Sequence, residues 1–356
     1  MKKLNHVIII GCSISSLYAA IKFLDLGYRV TIIEKKNSYL PLYESIYHNF
    51  KIFNDNHKTY MNLLKKFDIK FEKIELDTKN DPINSPPSKS PITLINTVIQ
   101  KTKPIPNNIL MTHTFASICR SLMSEQDFNN INSYENIFSG MFNIINAMDC
   151  IQLFTTDITY NVSYYNVTIQ SINELISKML SYIQNKNGKI IYNNEVKLIK
   201  YIKHKFIIGT NTHNSLTSDI LFTTISKDNL LAFNFWNNEQ KLLFNTVTVI
   251  NASIINNIIE YFMKKNEEQT NTSDEIRKVL LDDLHIVYPL FTNKSKHIYI
   301  WNNGVNNVLI RERIKSMYND KFFICSESFS KNNMFINYSL ESIDNAMINV
   351  TKTYKS

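Results

Sequence analysis

The chain has 356 residues, of which 44% are hydrophobic, and a typical domain length of about 150 residues allows two domains with a sizeable core. Its net charge of +8 comes from lysines scattered among acidic residues, so the charge indicates a solvated surface and predicts no binding of nucleic acid. Four widely separated cysteines without a CxxC pair argue against a disulfide framework or a metal site and favour a reducing, intracellular compartment. No apolar run reaches the roughly 18 residues of a membrane span, so no membrane segment is predicted.

The first elements of the chain predict a βαβ unit. Val7–Ile10 is a short β-branched run typical of a buried strand, and Gly11 interrupts it. Apolar residues then recur at helical spacing until Gly27, and Arg29–Ile33 forms a second β-branched strand that is followed by Glu34. Strand, tight turn, helix and strand within about 30 residues are typical of a dinucleotide-binding fold.

The remaining sequence mixes helix and strand patterns. The Pro- and Ser-rich stretch from Asp81 to Pro106 predicts a loop that leaves the first domain, and residues 107–155 indicate mostly helix. The next helix has a clear apolar face, and Ser171 and Glu174 are its predicted capping box. The later predicted elements are strands at Lys189–Tyr192, Val196–Tyr201, Lys205–Ile208, Ile220–Ile225 and Phe322–Cys325, and a final helix through Leu340, Ile343, Met347 and Val350.

The turn after the first strand departs from the dinucleotide-binding pattern Gly-x-Gly-x-x-Gly. It keeps Gly11, but Ser13 and Ser16 stand at the second and third glycine positions. The Cβ of Ser13 points where a pyrophosphate would approach the helix amides, whereas the small Ser16 is a milder change. Glu34 ends the second strand, where a carboxylate can bond both ribose hydroxyls. From these residues alone, a nucleotide site and a βαβ unit without a nucleotide both remain open.

Several blocks of sequence, in order along the chain, resemble the flavin-containing amine oxidases. Residues 7–35 look like the opening of that family, and Asn54–Lys58 is similar to a block after its glycine-rich stretch. Residues 169–226 resemble the family's return to its FAD domain, and Trp301–Gly304 resembles a Trp-x-x-Gly of its substrate domain. Residues 323–342 are similar to the family's Cys-Gly-Glu-x-Phe-Ser…Gly-Trp-Val-Glu-Gly-Ala-Leu-x-Ser.

This resemblance implies an α/β fold in which a Rossmann-like FAD-binding domain is joined to a second, α+β substrate domain. The FAD-binding domain would comprise residues 1–82, 156–234 and 311–356, and the substrate-type domain residues 83–155 and 235–310. The resemblance also implies FAD as cofactor, a small-molecule amine as substrate, and oxidation of a C–N bond by hydride transfer to the flavin.

Further site residues follow from the resemblance. In the family, the residue that matches Val196 meets adenine through its backbone, and the glutamate that matches Glu327 lies near the ribityl chain. Phe335 matches an aromatic residue of the substrate cage beside the flavin. The predicted cofactor-binding residues are therefore Gly11, Ser13, Ser16, Glu34, Val196 and Glu327, with Phe335 as the candidate catalytic residue.

Glycines that the family places against the flavin are absent from this chain. It has 6 glycines, where an average usage of about 7% would give roughly 25. Ser326, Met334 and Tyr338 stand at glycine positions, and a tyrosine side chain fills space that a glycine leaves open. Two hypotheses follow: an FAD-dependent oxidase with a tolerant site, or a scaffold that keeps the fold without flavin and binds a protein partner. The lost glycines predict a colourless protein with flavin binding weakened or lost and no appreciable amine-dependent peroxide formation.

Overall fold

The computed structural model describes residues 5–39, 52–74, 91–138, 141–143, 146–157, 162–212, 215–225, 227–233, 235–236, 318, 321–325 and 336–354. Its strands are, in chain order, β1 (His6–Ile10), β2 (Arg29–Ile33), β3 (Ile52–Asn54), β4 (Glu72–Ile74), β5 (Tyr164–Asn166), β6 (Lys189–Ile191), β7 (Val196–Ile202), β8 (Lys205–Thr210), β9 (Ser215–Ser218), β10 (Ile220–Thr223) and β11 (Phe322–Ile324). Its helices are α1 (Ile14–Asp25), α2 (Lys58–Lys66), α3 (Pro91–Thr102), α4 (Asn107–Thr112), α5 (Phe115–Leu122), α6 (Glu125–Phe138), α7 (Ala147–Gln152), α8 (Ile169–Asn185), α9 (Lys227–Leu231) and α10 (Ile336–Tyr354), with a 3-10 turn at Met141–Asn143 and a π-helical turn at Leu153–Asp157.

The central element is a parallel sheet of five strands in the order β11-β10-β1-β2-β6. All residues of β1 are buried, as expected of a central parallel strand whose β-branched side chains are covered on both faces. Ile10, the last residue of β1, pairs with Ile33 of β2 and with Thr223 of β10. The carboxyl ends of three strands that are distant in sequence therefore meet at one edge of the sheet, directly before the Gly11 turn.

Helix α1 follows β1 and packs against α8 and α10. The apolar residues that predicted α1 and α10 from their spacing are buried in one core with the strands, so both helix predictions are confirmed. The predicted capping box of α8 is wrong, because the helix begins earlier, at Ile169. Thr168 is its N-cap, and the Thr168 hydroxyl accepts a hydrogen bond from the backbone N–H of Ser171 at 3.1 Å.

Two smaller sheets accompany the parallel sheet. One has the order β3-β5-β4, and the other is an antiparallel meander, β7-β8-β9, that leads into β10. The turn between β7 and β8 places Lys203 and His204 at φ values of 49° and 62°. Two consecutive positive φ values match the right-handed twist of the strands that such a two-residue turn connects.

The chain divides into two compact units, of which the first contains Met1–Lys73, Thr159–Val247 and Val305–Ser356, and the second Ile74–Ile158 and Thr248–Gly304. The parallel sheet belongs to the first unit. The domain boundaries predicted near residues 82 and 310 lie outside the described residues. None of the described helices is both long and apolar enough to cross a membrane.

In its described part, the second unit consists mainly of helices α3 to α7, which confirms the mostly helical prediction for residues 107–155. Phe115, Phe128 and Phe142 are fully buried among these helices. The loop predicted for Asp81–Pro106 is wrong between Pro91 and Thr102, where the chain forms α3. Pro91 is the first residue of that helix, where the missing N–H of proline forfeits no intrahelical hydrogen bond.

Candidate functional site

The candidate site lies at the carboxyl edge of the parallel sheet, where β1 passes into α1. Gly11 has a φ of +92°, and its N–H donates to the carbonyl of Ile33 at 2.9 Å. A Cβ added to Gly11 would lie 2.8 Å from Cγ2 of Ile225, which follows β10. Glycine is therefore required here both for its backbone conformation and for the space it leaves.

Ser13 and Ser16 close the amino end of α1 as a reciprocal capping box. The Ser13 hydroxyl accepts from the N–H of Ser16, and the Ser16 hydroxyl accepts from the N–H of Ser13, each at 3.2 Å. Both hydroxyls also contact the hydroxyl of Thr224, which lies 2.9 Å from Oγ of Ser13. We call Ser13, Ser16 and Thr224 the hydroxyl cluster; it joins the start of α1 to the end of β10.

Glu34 lies directly after β2 and is only 5% exposed. Its Oε2 accepts a hydrogen bond from the N–H of Cys12 at 2.8 Å, and its Oε1 accepts from the N–H of Lys36 at 2.9 Å. The carboxylate is thus directed at the Gly11 turn, as an anchor for two backbone amides. A role for Glu34 towards a ribose stays a prediction, since each carboxylate oxygen can accept more than one hydrogen bond.

Cys12 and Tyr192 lie beside this carboxylate. Burial, followed by the negative charge of Glu34, raises the pKa of the Cys12 thiol to about 12. Burial, followed by the neighbouring Cys12, raises the pKa of Tyr192 to about 12. Burial therefore holds both groups in their neutral, protonated forms at pH 7. No cluster of metal-ligating side chains occurs among the described residues.

Val196 begins β7, and its side chain is buried. The connection from β6 to β7 lies alongside the end of β2, because the N–H of Asn194 donates to the Glu34 carbonyl at 2.9 Å and that of Asn193 donates to the Lys36 carbonyl at 2.7 Å. The fold thus brings Gly11, Ser13, Ser16 and Glu34 together and places the segment before Val196 beside Glu34. The proposed backbone contact of Val196 with adenine stays a prediction.

The start of α10 provides the second half of the predicted cofactor site. Tyr338, which the resemblance aligns with a glycine, is 8% exposed, and its ring and that of the buried His57 meet edge to face with their centroids 5.8 Å apart. Next to it, the hydroxyl of Ser339 lies 2.9 Å from that of Ser15 on α1. Other predicted features lie outside the described residues, namely Trp301–Gly304 of the predicted substrate domain, Ser326, Glu327, Met334 and Phe335.

Sequence reasoning missed Thr224, Ser15 and Ser339 as members of this region. Thr224 carried a weak signal, since it directly follows a strand whose carboxyl end faces the site in a dinucleotide-binding fold. Ser15 and Ser339 carried none, because their contact depends on the packing of two helices that are distant in sequence.

At this turn the side chains of Ser13 and Ser16 would compete with a dinucleotide pyrophosphate for backbone amides. A pyrophosphate needs unpaired amides at the helix start and a backbone without a Cβ at the second glycine position. Here the amides of Cys12, Ser13 and Ser16 are each bonded to a side-chain oxygen of the chain itself. A pyrophosphate would have to displace those bonds and the Ser13 side chain.

No protein-family model matches the sequence, and no curated protein matches it. Among solved structures, putrescine oxidase bound to putrescine matches with a TM-score of 0.61 and 10% identity, over 98% of this chain and 99% of the other. Cyclohexylamine oxidase from Brevibacterium oxydans matches with a TM-score of 0.61 and 11% identity, over 99% and 100% of the two chains. An oxidoreductase from Methanosarcina mazei matches with a TM-score of 0.59 and 10% identity, over 96% and 100%. These likenesses show the fold, and the prediction of an amine oxidase-like α/β fold is confirmed.

Proposed function

We propose that this protein keeps the amine oxidase fold while its binding of FAD and its oxidation of amines are weakened or lost. One observation carries the proposal: the amides of Ser13 and Ser16, at the turn where the fold would hold a pyrophosphate, are bonded to side chains of the same chain. The family's chemistry belongs to the flavin, so weaker flavin binding means weaker amine oxidation.

The cost of opening this turn can be estimated from its hydrogen bonds. The two reciprocal bonds of Ser13 and Ser16, and the bond between the hydroxyls of Ser13 and Thr224, would have to break before a phosphate could bond these groups. At about 1 kcal/mol net for each of three bonds lost, the dinucleotide would bind with about 3 kcal/mol less free energy, which is roughly a hundredfold in Kd. The Cβ of Ser13 adds a steric cost to this estimate.

The alternative is an active FAD-dependent amine oxidase with a tolerant site. Two observations favour it: the fold matches putrescine oxidase and cyclohexylamine oxidase over nearly the whole chain, and Glu34 keeps a carboxylate at the end of β2. The hydroxyl cluster argues against it, because Ser13 and Ser16 bond backbone amides that a pyrophosphate would need, whereas Glu34 bears only on the adenosine end.

The first experiment is the absorbance spectrum of the purified protein between roughly 350 and 500 nm, the range in which bound flavin absorbs, with fluorescence of the supernatant after denaturation. We expect a colourless protein that releases little flavin and forms no appreciable peroxide with putrescine or cyclohexylamine. Near-stoichiometric flavin in the wild-type protein would contradict the proposal and favour the active oxidase.

A second experiment restores the glycines of the turn. In Ser13→Gly/Ser16→Gly, the amides of the turn lose their side-chain acceptors, and we expect the affinity for FAD or ADP, measured by calorimetry, to rise by at least tenfold. Thr168→Gly is the matched control, because it removes a helix N-cap of the same chemistry from α8. An equal affinity in all three proteins would show that the turn does not limit binding.

A further inference from the structure

A buried histidine lies at the amino edge of the parallel sheet, at the opposite end of β1 from the Gly11 turn. His6 is the first residue of β1 and is 8% exposed. Its Nδ1 lies 2.8 Å from the carbonyl oxygen of Thr217 on β9, and its Nε2 lies 2.9 Å from the hydroxyl of Thr31 on β2. One imidazole ring thus joins the central strand of the parallel sheet to a neighbouring strand and to the last strand of the meander.

The partners of the His6 ring fit its neutral form. A backbone carbonyl can only accept, so we assign the ring proton to Nδ1, which donates to Thr217. Nε2 then accepts from the hydroxyl of Thr31, a side chain that is buried and has no other partner among the described residues. A second proton on the ring would make Nε2 a donor and would leave the hydroxyl proton of Thr31 without an acceptor.

The charges around the ring also disfavour a second proton. Arg29 on β2 and Lys189 on β6 repel a charged His6, and Asp219, between β9 and β10, attracts it. The Asp219 carboxylate is already engaged, because its Oδ2 accepts from the N–H of His6 at 2.9 Å and its Oδ1 lies 3.2 Å from Nζ of Lys205 on β8. Burial, the largest cause, lowers the pKa of His6 below its usual 6.5.

Strand β9 is the element that a broken contact with His6 would release. It has four residues and pairs only with β8 among the described strands. Its last residue, Ser218, is 2% exposed, and the Ser218 hydroxyl has no hydrogen-bond partner in the part of the chain that the structure describes. A buried hydroxyl without a partner favours opening to water. Strand β1, in contrast, is buried throughout and lies between β2 and β10, so opening starts at β9 while β1 stays in place.

We propose that His6 is a pH-sensitive latch, which holds the end of β9 to the parallel sheet while its ring is neutral and releases β9 when the ring takes up a second proton. The latch goes beyond the proposed function and does not depend on flavin. Because the latched state keeps the ring neutral, its full stability is present above about pH 6.5 and is lost as the pH falls below that value. One proton limits this change to about tenfold in the opening equilibrium for each pH unit.

The test is amide hydrogen exchange on the full-length protein, with each rate divided by the intrinsic rate of an unprotected amide at the same pH. Between about pH 7.5 and about pH 5.5 we expect opening at the amides of β9 to rise about fivefold, because the released ring binds a proton that the latched ring excludes. The amides of β2 are the internal reference and should show no such rise. Opening of β9 that is independent of pH, or an equal rise in β2, overturns the latch.

Two variants identify the group that titrates. His6→Asn cannot take up a proton but keeps a side-chain amide that can donate at the place of Nδ1, so we expect the pH dependence at β9 to disappear. His204→Asn is the matched control, because it removes an exposed histidine from the turn between β7 and β8 of the same meander, and it should keep the wild-type pH dependence. A pH dependence that persists in His6→Asn, or that vanishes in His204→Asn, overturns the proposal. If His6→Asn fails to fold, the comparison of β9 with β2 in the wild type still decides.

Discussion

The amino ends of α1 and α8 are built from the same chemistry and stand in different surroundings. In α1 the hydroxyl of Ser13 accepts from the N–H of Ser16 at 3.2 Å, and in α8 the hydroxyl of Thr168 accepts from the N–H of Ser171 at 3.1 Å. The bond between Thr168 and Ser171 in α8 is exposed to solvent and is an ordinary helix cap. The α1 pair lies at the edge of the parallel sheet and is joined by Thr224, at the place where this fold would hold phosphates. One local motif thus stands as a single exposed cap in α8 and, in α1, is a cap that is also bonded to the residue after a neighbouring strand.

The largest effect on the α1 side is expected at Gly11, where the turn begins. Gly11→Ala forces an L side chain to a φ of +92° and puts its Cβ 2.8 Å from Ile225, so we expect a loss of about 3 kcal/mol in the free energy of unfolding. Gly27→Ala is the control, because Gly27 has a φ of +82° but no neighbouring atom within 4 Å. Backbone strain alone should lower the free energy of unfolding of Gly27→Ala by about 1 kcal/mol. Denaturant titration measures this free energy for both variants. Similar losses in the two variants would argue against the close contact with Ile225.

A third helix start, that of α7, sharpens the comparison because its capping pair contains an ionisable group. The N–H of Asp149 donates to Oδ1 of Asn146 at 2.9 Å, and Nδ2 of Asn146 donates to the Asp149 carboxylate at 2.7 Å. Burial raises the pKa of Asp149 from its usual 3.8 to about 6. Because the folded state binds the Asp149 proton more tightly than the unfolded state does, this carboxyl contributes to stability in full below about pH 4. That contribution is lost as the pH rises through about 6.

We therefore expect Asp149→Asn to be more stable than the wild type by about 2 kcal/mol at pH 7 and by nearly nothing at pH 3, where the carboxyl is protonated in both folded and unfolded states. The measurement is the difference in the free energy of unfolding between the two proteins across that range. A constant difference would contradict the raised pKa. The capping box of Ser13 and Ser16 contains no titrating group, so Ser13→Ala should shift the stability equally at both pH values.

The smallest expected effect is the difference between the caps themselves. Ser13→Ala should lower the free energy of unfolding by about 1.5 kcal/mol, because it removes a helix cap and a contact with Thr224, both of them part-buried. Thr168→Ala removes an exposed helix cap and should lower the free energy of unfolding by about 0.5 kcal/mol. Thermal or urea unfolding measures both. If the two losses were equal, the hydroxyl cluster would add nothing to an ordinary cap.

The elements that the sequence predicted correctly are those with a strong local period. The β-branched runs that form β1 and β2, the helical spacing in α1 and the apolar face of α10 all appear as expected. The failures come from competing local signals. Thr168 precedes Ser171 and caps α8 first, and Pro91 starts a helix in a stretch whose composition indicates a loop. Domain boundaries, partner and compartment stay predictions.

The sequence by itself determined the strand–turn–helix–strand unit, the need for glycine at position 11 and the replacement of the second and third glycines of the dinucleotide-binding pattern by serine. Only the tertiary structure decided what those serines do. Their contacts with Thr224, the contact of Ser15 with Ser339 and the bond from Tyr18 to Asp344 join segments that are far apart in the chain. Periodicity and local motifs report on neighbours within a few residues, whereas these contacts depend on parallel strands ending at one edge and on helices that pack across the sheet.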